Sequence, residues 1–242
     1  MTGQSDFRAV RPVGIAFIVF AIAFNVPYSW LASNFRYPQI LRSAPGDILT
    51  AFDAGGAPLI LAWAGFALAA LLFAPIAVAM AVVTRRPGDS SSAVAALGVA
   101  AGITQAIGLS RWVYAVPGLA HDWTASATDP VWRQSIQTTF VTLHQFAGVG
   151  IGEAMGQTLT AFWLIAVAID QRRHPRFGGV ISAVGLIGGV ILAVGLVEGL
   201  STVIGFAPGI FGLSGLVGYL VLTLWLIWTG VLCILRPEPK AA

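Results

Sequence analysis

The chain has 242 residues, 57% of them hydrophobic and only 10% charged, with a mean hydropathy of +0.84. A soluble domain carries about 25% charged residues, so this composition excludes one and points to a single block of membrane helices. A lone cysteine, Cys233, excludes a disulfide framework, a thiol redox pair and a thiolate metal site. The net charge of +3 is scattered between apolar runs rather than gathered on one face, which argues against nucleic acid as a partner.

A helix needs about 20 apolar residues to cross a hydrocarbon layer roughly 30 Å thick. Six runs meet this requirement, at about 13–31, 58–83, 93–116, 148–169, 178–200 and 213–235. The first is too long for a signal-peptide core and lacks a small-x-small cleavage site, so it reads as a retained span. Pro75 falls near the middle of the second run and predicts a kink. Ser90, Ser91 and Ser92 form a start signal before the third, and Pro117 follows its end. No stretch alternates apolar and polar residues, which argues against a β-barrel. The expected fold is therefore an all-α bundle of six transmembrane helices in one domain.

An even number of crossings puts both chain ends on one side. That side holds Arg8, Arg11, Arg85, Arg86, Arg172, Arg173, Arg176, Arg236 and Lys240, nine cations against Arg36, Arg42 and Arg133 opposite. Cytoplasmic loops carry the excess of Lys and Arg, so the termini are expected to be cytoplasmic. The opposite loops are the longer ones. In the first, Tyr37 to Arg42 precede Asp47, an expected N-cap for a short helix with Ile48, Leu49 and Phe52. In the second, Trp132, Ile136, Phe140, Leu143 and Ala147 recur at helical spacing, predicting an amphipathic helix over about 131–147 lying in the interface. The third, 201–212, is apolar and rich in Gly and Pro.

Ionisable residues within a span are costly and mark functional candidates. Arg111 lies about 18 residues into the third run, roughly 27 Å from its cytoplasmic end at 1.5 Å per residue. Glu153 lies roughly 24 Å and Glu198 roughly 30 Å from the same side on the fourth and fifth runs. These depths predict one outer-leaflet cluster, a guanidinium flanked by two carboxylates with net charge near −1, to which His144 and Gln145 could add. Other readings stand beside it: Arg111, followed by Trp112 and Tyr114, could snorkel in an aromatic belt, Glu198 could be solvated, Glu153 could form a structural ion pair, and His144 could be a hydrogen-bonded structural residue.

The run Gly148-Val149-Gly150-Ile151-Gly152-Glu153-Ala154-Met155-Gly156 mimics a nucleotide loop, but the strand such a loop requires is missing. Gly148, Gly152 and Gly156 share a helix face instead, the small-xxx-small pattern that lets another helix approach closely. Gly185 with Gly189, and Gly195 with Gly199, repeat it in the fifth run. These faces predict tight packing of the fourth and fifth spans, drawing Glu153 towards Glu198.

Several chemistries lack their residues. Retinal needs a buried lysine, and the lone lysine is Lys240 in the tail. His121 and His174 lie in opposite loops, so facing haem ligands are missing, and three scattered candidates (His121, Asp122 and Glu153) make a weak metal set. Gly212-Leu213-Ser214-Gly215 imitates an intramembrane serine protease motif, but no histidine follows. No P-loop occurs, and no catalytic residue, metal ligand or cofactor is assigned.

The strings Tyr37-Pro38-Gln39-Ile40-Leu41 with Asp47-Ile48-Leu49, Gly108-Leu109-Ser110-Arg111-Trp112 with Val116-Pro117, and Gly150 to Gly156 together resemble a family of small bacterial multi-pass membrane proteins, the domain of unknown function of the 4386 series. The resemblance covers nearly the whole chain and implies about six spans, with no established activity and no catalytic residue to carry over. The leading functional expectation is a membrane protein that binds or transports a small or lipid-like ligand in a polar outer-leaflet pocket of Arg111, Glu153, Glu198 and His144. Two alternatives differ in class: an accessory or scaffold subunit with membrane-protein partners or further copies of itself, and a membrane enzyme acting on a lipid-type substrate with Glu153 or His144 as acid–base.

Overall fold

The computed structural model describes residues 3–85, 91–125, 129–205 and 210–236, and the side chains of all these except 3–9, 91, 198–203 and 210–212. Arg86, Ser90 and Lys240 lie outside the described residues, as do the side chains of Arg8, Ser91 and Glu198. The described chain is helical, with α1 (Gly3–Phe35), a 3-10 turn (Gln39–Arg42), α2 (Pro45–Thr84), α3 (Ser91–Tyr114), α4 (Val116–Ala125), α5 (Pro130–Leu143), a π-helical segment (His144–Met155), α6 (Gly156–Arg173), α7 (Gly179–Ile204) and α8 (Ile210–Leu235). Six helical stretches among the described residues are long and apolar enough to cross a membrane: Val10–Phe35, Pro45–Thr84, Ser92–Ala125, Pro130–Arg173, Gly179–Val197 and Leu213–Leu235.

The first span runs past the expected end at 31. Asn34 Nδ2 donates to the Trp30 carbonyl and Ser33 Oγ to that of Ser29, which keeps the last turn helical. Arg36, at φ 53, then turns the chain, and the Tyr37 N–H donates back to the Leu31 carbonyl at 3.3 Å. The expected N-cap at Asp47 is displaced. Helix α2 begins at Pro45 after Ala44, and Asp47 sits in its first turn. Nor is the short helix separate, because α2 continues through a break at Gly56 (φ 55, ψ −151), whereas dihedrals stay helical through Pro75. Only glycine adopts that backbone conformation readily, so the bend is set by Gly56 rather than by the proline. The leg before it buries Ile48, Leu49 and Phe52.

Asp129 caps α5, its carboxylate accepting from the Val131 and Trp132 N–H groups at 3.0 Å each. The amphipathic helix expected to end near 147 instead runs on through the π-helical segment into α6. Its apolar face is also used differently: Ile136 and Phe140 are buried in a cluster with Trp112, Trp63 and Phe52, while Trp132 remains 50% exposed. Protein rather than lipid headgroups covers most of that face.

Neighbours pack in the order α1, α2, α3, α6, α7, α8, and α8 closes back onto α1. Arg11 Nε donates to the Ile234 carbonyl at 3.3 Å, tying the start of α1 to the end of α8 on one side. Two apolar cores result. The one nearer the chain ends centres on Phe17, Phe73, Trp163 and Trp225; the distal one centres on Leu31, Phe35, Trp63 and Trp112. Phe24 packs against both. One of the orienting cations, Arg176, is buried in the turn between α6 and α7, where Arg236 Nη1 donates to its carbonyl at 2.9 Å.

Candidate functional site

Gln105, Gly108 and Arg111 lie three residues apart on α3 and so run along one helix face. The fourth span meets this face with its glycines. A Cβ on Gly148 would lie 2.5 Å from Arg111 Cζ, one on Gly108 would lie 2.5 Å from Gly152 Cα, and one on Gly156 would lie 2.6 Å from Gln105 Cγ. The stripe therefore admits α3, not the fifth span. The fourth and fifth spans still pack, through Gly185 against Ala168 and Gly189 against Ile165. The difference lies in which helix uses which face, and spacing of small residues does not encode that. Gly195 approaches Gln157 and Gly215; Glu198 follows on α7, its side chain outside the described residues.

Between the two apolar cores lies a cavity of about 330 Å³ lined by α1, the 3-10 turn region, α2, α3, the π-helical segment, α6 and α8. Arg111, Glu153 and His144 all line it. Among the described lining residues none comes from α7, whose Glu198 side chain lies outside them; α1, α8 and the loop after α1 add to the wall.

Arg111 is 8% exposed, so it is buried rather than snorkelling. Its Nη1 donates to the Gly108 carbonyl, and its Nε has no hydrogen-bond partner. The guanidinium stands 5.1 Å from the centroid of the Trp112 ring, which stacks on Trp63 at 4.7 Å. Glu153 is exposed within the lining and lies in electrostatic range of Arg111 and of the Tyr37 and Tyr219 hydroxyls. The His144 ring stacks on Phe140 at 5.7 Å, and its Nδ1 is buried without a partner. Tyr37, in the loop outside the spans, has its pKa raised by burial and then by the negative charge of Glu153.

Uncharged polar groups complete the wall, and these were not singled out from the sequence. Gln105 Nε2 donates to Thr160 Oγ1 at 2.8 Å, while Tyr219 donates to Gln105 Oε1 at 3.5 Å. Gln157 Nε2 donates to the Leu192 carbonyl at 2.9 Å, and Asn25 Nδ2 to Thr223 Oγ1 at 3.1 Å. The cost of polar groups in hydrocarbon that exposes Arg111 and Glu153 also applies to Gln105, Gln157 and Asn25, so the signal was present in weaker form. Arg42, from the 3-10 turn, lines the rim. The described lining thus carries two arginines, Arg42 and Arg111, and one carboxylate, Glu153; the expected charge near −1 also counted Glu198, whose side chain lies outside the described residues. Its volume and its mixture of aromatic walls with a few converging polar groups are those of a small-molecule site. The stretch that carries His144 and Glu153 is π-helical, a geometry that recurs at functional sites. Among the described residues no group of three His, Cys, Asp or Glu is placed to hold a metal ion.

No curated protein and no solved structure matches the chain. A family model described as Domain of unknown function (DUF4386) matches residues 13–230, nearly the whole helical bundle and every described residue that lines the cavity. The chain belongs to the DUF4386 family.

Proposed function

We propose that this is a bacterial inner-membrane protein with cytoplasmic ends that binds or transports a small or lipid-like ligand through its distal cavity. One observation carries the reading: the cavity joins Arg111 of α3 with Glu153 and His144 of the π-helical segment and with Tyr37 and Tyr219. Arg111 and Glu153 lie within electrostatic range of each other across the cavity. The cytoplasmic assignment rests on the bias of nine cations against three. A scaffold role draws on the glycine faces and on the apolar loop 201–212; of these, Gly148, Gly152, Gly156, Gly185 and Gly189 all meet residues of this same chain, and the loop lies largely outside the described residues, so we place the ligand reading first.

Native mass spectrometry of the protein released from mild detergent tests this. The parent should carry a small-molecule adduct that is lost in Glu153→Gln and Arg111→Ala proteins which still fold. If the folded variants show the same adducts as the parent, or the parent shows none, the reading fails.

A further inference from the structure

We infer that the cavity takes a neutral amphiphile with a flat, carbonyl-bearing head, the chemistry of a membrane quinone. The inference rests on the ligand-cavity reading and adds the ligand class. Donors rather than net charge select it. Arg111 lines the cavity and is 8% exposed. Its Nη1 donates to the Gly108 carbonyl, and its Nε is buried without a partner. Nη2 makes no hydrogen bond or ion pair with a described residue and is not sealed in protein, so it opens onto the cavity. The guanidinium lies 5.1 Å from the Trp112 ring centroid, a contact that uses its face and leaves the N–H edge for an acceptor. His144 repeats the pattern: Nδ1 is buried without a partner, and Nε2 makes no hydrogen bond with a described residue. An orphaned buried N–H is rarer than an orphaned acceptor, which puts the proton on Nε2, the nitrogen left open. The Tyr37 hydroxyl likewise makes no hydrogen bond with a described residue. The lining thus offers three donors that no protein acceptor meets, and an occupant needs oxygen lone pairs to satisfy them. A neutral head supplies these without adding a charge to a wall that already holds Arg111 and Glu153.

The rest of the wall selects a ring. Phe24 and Phe66 hold their ring centroids at 5.3 Å, Tyr28 and Phe66 at 6.2 Å, and Tyr28 and Tyr37 at 5.7 Å, one continuous aromatic patch that Tyr219 extends from Phe24 at 6.2 Å. Trp112 adds a ring beside the donors, its centroid 6.3 Å from that of His144. Aromatic faces and edges pair with a flat ring at such separations, so a cyclic head gains contacts here that a linear ester does not. The apolar chain has a place as well. Leu216 and Leu220 of α8 line the cavity, yet they are 38% and 49% exposed. In a membrane span an exposed leucine faces acyl chains, so the cavity is continuous with an apolar lip on which a hydrocarbon tail can rest.

The test uses the full chain in phosphatidylcholine discs and a tritiated 1,4-naphthoquinone carrying a decyl chain. Binding should saturate and be displaced by the unlabelled quinone. Decylnaphthalene, which keeps the ring and chain but lacks both oxygens, should displace it poorly, and so should methyl palmitate, which keeps a carbonyl but no ring. Arg111→Met should weaken binding about tenfold, the effect of one lost charge-assisted hydrogen bond. His144→Phe, which preserves the stacking on Phe140, should weaken it less, and His144→Gln, which restores an N–H, should recover it. The His144 pair keeps the test decisive if the Arg111 variant fails to fold. Absence of saturable binding to the folded parent, equal displacement by decylnaphthalene or by methyl palmitate, or unchanged affinity in both folded Arg111→Met and His144→Phe overturns the inference. If the co-purified adduct still depends on Glu153 and Arg111 while the quinone neither binds nor displaces it, the ligand class falls and the cavity reading stands.

Discussion

Gly108 and Gly152 meet backbone to backbone, so neither tolerates a side chain. A Cβ on Gly108 would lie 2.5 Å from Gly152 Cα and 3.0 Å from the Ala147 carbonyl oxygen. Gly108→Ala should therefore cost about 1–3 kcal/mol, the range for overpacking, read as a lower Tm in detergent. Gly148→Ala meets only the movable end of Arg111, so it should cost less stability while still displacing the guanidinium and the adduct. Arg111 and Glu153 form a second testable pair. A cycle of Arg111→Met, Glu153→Gln and the double variant should give a coupling of about 0.5–3 kcal/mol, because Glu153→Gln alone leaves a buried guanidinium without its offsetting charge; additive effects would break the pair. Tyr37 supplies a pH dependence. Folding raises its pKa above the ordinary 10.0 through burial and then Glu153, so its contribution is fully present below pH 10.0 and is lost as pH climbs towards the folded value. Stability should fall in that alkaline range, and Tyr37→Phe should flatten the slope. These residues also show what the sequence could yield. Arg111 and Glu153 stand out because a charge in a span is costly wherever it lies. Tyr37 and Tyr219 carry no such mark, and only tertiary packing brings them together.

At the scale of elements, the bend in α2 illustrates how local chemistry and long-range packing divide the work. Gly56 is held at φ 55, ψ −151, with nothing within 4 Å of where a methyl group would sit, so Gly56→Ala should cost about 1–3 kcal/mol through the backbone alone. Gly65→Ala, in regular helix with its nearest contact an ordinary 3.9 Å from Pro27 Cβ, should instead stabilise by about 0.5–1 kcal/mol; thermal unfolding of the two variants side by side separates conformation from space. The proline rule pointed to Pro75 because a missing N–H is visible in sequence, whereas the glycine that bends the helix looks like any other small residue in a span. The π-helical segment is hidden for a related reason. Apolar periodicity reports a face, and that face is blurred by the glycines that let α3 approach. The fourth span was legible as apolar length, but its continuity with α5 was not, because Ile136 and Phe140 would suit a lipid interface as well as the aromatic core they enter.

At the scale of the molecule, the six spans follow from apolar length, and their even number follows in turn. The closure of α8 onto α1 does not, since Gly14 and Gly230 are 216 positions apart by subtraction and meet only once the ring is complete. That closure places Arg11 beside the end of α8 and puts the cavity in the half away from both termini. The charge bias is the argument for which half faces out, and one of its nine cations, Arg176, is buried. The orientation can be read directly because Cys233 is buried and offers little background to a thiol reagent. Gln39, in the 3-10 turn, and Pro175, between α6 and α7, are both exposed and lie at opposite ends of the bundle. A membrane-impermeant maleimide should label Gln39→Cys in intact cells and Pro175→Cys only after permeabilisation. The reverse pattern would turn the cavity towards the cytoplasm and would assign its ligand to the inner leaflet; labelling of both from outside would break the six-span topology itself.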